Sequence, residues 1–120
     1  MSMAVSIAAA PPVPLAPLRR FLLVGLTWAL IGLAQPGLLR PDGFGHLAFF
    51  AVAPWAWATR RPGRRAFLAE WAGHAVGLAG VFHWMIAFMP PILVPMSIVP
   101  ALYPALVGVL LRRAPISWPL

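Results

Sequence analysis

Apolar residues in this chain gather into four runs, separated by turn residues and arginines. The first runs from Phe21 to Ala34, is interrupted only by Thr27, and stops at Gln35-Pro36-Gly37. Pro17 stands where a helix tolerates proline, so the pattern predicts a helix over about 18–35. A second run, 44–59, has His46 near its start and Pro54 inside it, which predicts a kink. The third covers 66–89, 24 residues with only Glu70, His74 and His83 able to carry charge. A helix of that length rises about 36 Å, enough to cross a bilayer core of about 30 Å. The fourth, 92–111, carries Pro95, Pro100 and Pro104, and Arg112 and Arg113 close it. Three prolines within an apolar helix require neighbouring helices to satisfy the freed carbonyls. The pattern therefore predicts an all-α integral membrane protein, a four-span helical bundle over residues 18–113. A disordered Ala/Pro-rich leader, 1–17, precedes it and a short cytoplasmic tail, 114–120, follows. No internal repeat is present.

Composition narrows the class further. With 62% hydrophobic and 9% charged residues, an ordinary soluble domain is excluded. Net charge is +7, from nine arginines and no lysine against Asp42 and Glu70. In a soluble chain that balance would point to nucleic acid. Here the arginines sit at the ends of apolar runs, where they orient helices and meet the headgroups of membrane phospholipid. Spans of alternating direction place Arg19, Arg20, Arg60, Arg61, Arg64, Arg65, Arg112 and Arg113 on one side and leave Arg40, beside Asp42, on the other. The positive-inside rule then predicts an N-in/C-in topology. The N-terminus has no basic residue ahead of its small apolar ones, which argues against a cleaved signal peptide. There is no cysteine, so disulfides, thiolate metal sites and a cysteine nucleophile are excluded.

Few residues are suited to chemistry. Glu70 and His74 are four apart and share a helix face, the geometry of an intramembrane polar pair or proton relay. In the plainer reading, Glu70 reaches back to Arg65 or to headgroups and His74 bonds a neighbouring helix. Gly73, Gly77 and Gly80 form a small-residue strip suited to close helix packing. His46 opens the second run and His83-Trp84 closes the third, so these three are candidates for an outer-face contact with lipid or substrate. The plainer reading of the two histidines is as separate interfacial residues. No nucleophile elbow, phosphate loop or carboxylate pair is present, and neither a catalytic residue, a metal site nor a cofactor is predicted.

Several stretches taken in order resemble a known family. These are the first run ending in Gln35-Pro36, LAFFAVAPWAWA at Leu47 to Ala58, the arginine loop, the glycine-spaced third run closing on His83-Trp84, and ALYPAL at Ala101 to Leu106. Together they resemble the N-terminal transmembrane region of bacterial apolipoprotein N-acyltransferase, over roughly Leu22 to Arg113. The resemblance implies an inner-membrane protein concerned with phospholipid-dependent N-acylation of lipoproteins. In that family the reaction is performed by a Glu, a Lys and a Cys of a nitrilase-like domain. This chain has no lysine and no cysteine, so no catalytic position carries over. The expectation is a fragment or split part, inactive alone, with the remaining spans, the nitrilase-like domain and the lipoprotein substrate reached through another chain. Two other readings stand beside it: a non-catalytic small membrane protein that binds a lipid or protein partner, and half of a transporter with Glu70 and His74 as its relay.

Overall fold

The computed structural model describes residues 11–37 and 41–114, and among these all regular structure is helical. Helix α1 spans Pro17–Ala34. A 3₁₀ turn over Gly45–Leu47 leads into α2, Ala48–Ala51, and α3, Ala53–Thr59. Helix α4 spans Ala66–Val81 and passes into a 3₁₀ segment, His83–Ala87. Helices α5, Pro90–Ile98, and α6, Leu102–Arg113, complete the chain.

The expected four-span bundle is not what forms. Among the described residues only two helical stretches are long and apolar enough to cross a membrane, Pro17–Ala34 and Pro90–Arg113. Prolines account for the difference. Pro54 has no N–H to give, and its ring crowds the carbonyl four residues back, so the second run divides at Val52 into helices of four and seven residues. In the third run Met89 precedes Pro90 and takes φ −147°, ψ 71°, outside the α region. The chain ahead of it tightens to 3₁₀, and α4 ends after 16 residues, about 24 Å. Helix direction still alternates, since Arg20 near the start of α1, Thr59 at the end of α3, Glu70 near the start of α4 and Arg112 at the end of α6 meet at one level, but two candidate spans and not four stand behind the N-in/C-in topology.

The structure also shows how the broken backbone is satisfied. Trp55 lies in the first turn of α3, where its N–H has no intrahelical partner, and it donates to Thr27 Oγ1 of α1 at 3.0 Å. The turn at 99–101 frees the carbonyl of Ile98, which accepts from Trp71 Nε1 at 2.9 Å. Thr27→Val, which keeps shape and removes the acceptor, is expected to cost about 1 kcal/mol. It would appear as a lowered unfolding midpoint in detergent.

Helices α1 and α4 make the broadest pairing in the molecule. They run parallel: Arg20 meets Glu70, Val24 meets Gly73 and Trp28 meets Gly77. Residues 1–10 of the expected leader and 115–120 of the expected tail lie outside the described residues, as does Arg40. Within the rest of the leader, Leu15 is buried and its N–H donates to Pro62 O at 2.9 Å. That end of the leader is fastened to the arginine loop.

Candidate functional site

Three arrangements on the α1–α4 pair concentrate the polar chemistry. Nearest the arginine-rich end, Glu70 of α4 is fully buried, and its Oε1 receives contacts from three other helices. Arg20 Nη1 of α1 donates to it at 2.7 Å, Arg112 Nη1 of α6 donates to it, and Thr59 Oγ1 at the end of α3 donates at 3.1 Å. Arg20, also fully buried, donates to Ala58 O at 2.7 Å and to Arg61 O, setting its positive charge at the C-terminal end of α3. Arg112 also donates to Thr59 Oγ1 at 3.0 Å. The cluster is a clasp that draws α1, α3, α4 and α6 to one carboxylate.

The expectation that Glu70 reaches back to Arg65 or to headgroups is corrected here. Two arginines distant in sequence take it, because the parallel α1 and the returning α6 bring their guanidinium groups to the same level. Arg20 and Arg112 are likewise not headgroup ligands. The transporter reading also loses its pairing, since Glu70 is engaged by Arg20 and Arg112 while His74 takes its hydrogen bond from Trp28.

One turn further along α4, His74 is buried and separate from the clasp. Its Nδ1 accepts from Trp28 Nε1 at 2.8 Å, so a neutral ring carries its proton on Nε2. Trp28 and Trp55 both stand edge-on to the imidazole, with centroids 6.0 and 5.6 Å away. Glu70 and His74 thus share a face but serve two different networks. Trp55 is turned toward the imidazole by this contact, whereas Trp57 carries Arg61 over its ring at 4.1 Å.

Beyond Trp28 the α1–α4 seam opens into a cavity of about 780 Å³. Its walls are Gly25, Trp28, Ala29, Gly32 and Leu33 from α1, and Val76, Gly77, Gly80 and Val81 from α4. Its far end carries Gln35, His83 and Trp84. The glycine strip therefore divides. A Cβ at Gly73 would meet the Val24 side chain at 2.8 Å, and one at Gly77 would collide with Trp28, so these two permit close packing. A Cβ at Gly80 would meet nothing within 4 Å. Gly80 is part of the cavity wall, which corrects its place as a packing residue.

His83 and Trp84 belong to the cavity and His46 does not line it; His46 lies edge-on to Phe44, with centroids 6.1 Å apart. His83 Nδ1 lies 2.7 Å from Gly80 O. A carbonyl can only accept, so Nδ1 carries the proton and Nε2 of the neutral ring remains an acceptor at the cavity's polar end. Among the described residues no three His, Asp or Glu side chains converge in the manner of a metal site.

Sequence reasoning missed Arg20, Thr59 and Arg112 as parts of the clasp, and Gly108 of α6, where an added Cβ would run into Glu70 and Thr59. The available signal was the scarcity of acid: a carboxylate within an apolar run must find a cation, but nothing local says which. Trp28 had a signal too, as an indole in the middle of a span and away from any interface. No known family, curated protein or solved structure matches this chain.

Proposed function

We propose that this chain is a non-catalytic membrane protein that holds a lipid acyl chain in the groove between α1 and α4. The observation that carries the reading is the cavity itself: glycines and aliphatic residues along its length, and Gln35, His83 and Trp84 at one end. Its volume lies within the range of small-ligand sites, and Gly25 to Gln35 alone spans roughly 15 Å of helix. An elongated apolar groove with polar groups at one end matches a single acyl chain and the start of its headgroup. It borders α1, one of the two helices able to cross a membrane, so its ligand is drawn from the bilayer.

The resemblance to the apolipoprotein N-acyltransferase membrane region fits this reading. The chain then serves as a lipid-holding membrane part of N-acylation in the bacterial inner membrane, its arginine-rich end facing the cytoplasm. Acyl transfer needs a nucleophile, an adjacent base and an oxyanion site, which the resemblance assigns to a nitrilase-like domain outside these 120 residues.

Filling the groove tests the reading. Gly32 and Gly80 have no atom within 4 Å of an added Cβ, so Gly32→Leu/Gly80→Leu places bulk in the cavity without meeting backbone. Two helical glycines are removed, so thermal stability should hold or rise. Labelling by a phospholipid with a photoreactive acyl chain should fall at least about tenfold, the equivalent of 1.4 kcal/mol. Undiminished labelling would sink the acyl-chain assignment. The acyltransferase role has its own readout: loss of this chain from its cell should leave lipoproteins with a free N-terminal amine by mass spectrometry, and unchanged N-acylation would remove that role.

A further inference from the structure

Resting on the acyl-chain reading of the groove, we propose that Trp28 sets the length of chain the groove accepts, with His74 as the positioning residue that holds it there. The groove has two unlike ends. At the polar end are Gln35, His83 and Trp84. At the other, the helices close: an added Cβ at Gly73 would already crowd Val24 at 2.8 Å, so α1 and α4 pack in direct contact there. Trp28 stands one turn beyond Val24 on α1. Helical side chains lean toward the N-terminus of their helix, which carries the indole back over the closed end. A chain entering from the polar end meets Trp28 there.

A wall measures length only if it does not move, and Trp28 is held from two directions. Gly77 presses on its Cβ, Cγ and Cδ1, so that even a methyl group at 77 would collide with it. From below, its Nε1–H donates to His74 Nδ1 at 2.8 Å. His74 is itself 2% exposed and braced by the Trp55 ring. The groups facing His74 are aromatic, and the nearest carboxylate on its own helix, Glu70, is engaged by Arg20 and Arg112. The imidazole is thus committed to Trp28. Removing its acceptor frees the indole to tilt, and the end of the groove becomes indistinct.

The test uses the full chain in amphipol and single-chain lysophospholipids with saturated chains of graded length. The wild-type protein should bind best at one length. Trp28→Ala should move the optimum to longer chains, since two further buried methylenes change the long-to-short affinity ratio by about tenfold. Trp28→Leu, which keeps apolar bulk, should move it in the same direction by less and serves if Trp28→Ala does not fold. His74→Phe should broaden the optimum, and His74→Gln, whose side-chain oxygen can accept from the indole, should restore it. A merely structural role at either position would lower binding at every length together and leave the optimum in place, which overturns the proposal while the groove reading stands. An optimum that moves with Trp28→Ala but not with His74→Phe removes His74 from it. Absence of binding at all lengths in the wild-type protein defeats the groove reading and the proposal with it.

Discussion

Glu70→Gln is expected to cost about 3–5 kcal/mol, the largest loss of any single substitution in this molecule. The carboxylate is the only anion facing Arg20 and Arg112 in the clasp, and Arg20 is fully buried. Removing its charge leaves one guanidinium in an apolar interior with neutral acceptors alone, the carbonyls of Ala58 and Arg61 and the new amide oxygen. Desolvating a cation without a counter-charge is what makes the loss large, and the loss of one hydrogen bond is minor beside it. The arginines are not equivalent. Arg112 retains 17% exposure of its side chain, so it can keep water when its partner is removed, and Arg112→Ala leaves the buried Arg20–Glu70 pair intact. Its cost should be distinctly smaller than that of Glu70→Gln. Unfolding by denaturant in detergent or amphipol would rank the two, and equal costs would show that the buried pair is not the centre of the cluster.

How much of this was legible in the sequence depends on the range of the interactions concerned. The all-helical character and the first helix follow from the apolar runs and from Pro17 and Pro36, which act locally: α1 is Pro17–Ala34 and its C-cap Gln35 is extended, as a residue before proline must be. The second and third runs were misjudged because hydropathy counts apolar residues and not whether their backbone continues as helix. Pro54 and the Pro90-Pro91 pair lie within or directly after those runs, and they shorten both below a span. The candidate site divides in the same way. His83 and Trp84, which line the cavity, stand out in the sequence as the end of an apolar run, while the clasp and the wall of the groove do not. Arg20 and Glu70 are 50 residues apart, and only the parallel approach of α1 and α4 joins them. Arg65 is nearer in sequence, but as the N-cap of α4 in a left-handed conformation, φ 56°, it is fixed one turn before Glu70 without being its partner.

That approach depends on glycines that sequence alone does not rank. Gly108→Ala is expected to cost about 3 kcal/mol, because an added Cβ must enter the space of both Glu70 Oε2 and Thr59 Oγ1, the latter 2.7 Å away. Neither neighbour is a free end that can swing aside. Thr59 is buried and bonded to Glu70 and Arg112, and Glu70 is held by both arginines. To admit a methyl group, α6 must back away and draw Arg112 off the carboxylate, so a packing change becomes an electrostatic one. The comparison with Gly80→Ala makes the prediction sharp. The same substitution there meets no atom within 4 Å and removes a helical glycine, so it should be neutral or stabilise by up to about 1 kcal/mol. Two glycines of the same apolar chain should therefore respond with opposite signs to one added carbon. If Gly108→Ala proves as mild as Gly80→Ala, α6 does not sit against the carboxylate, and the clasp joins three helices and not four.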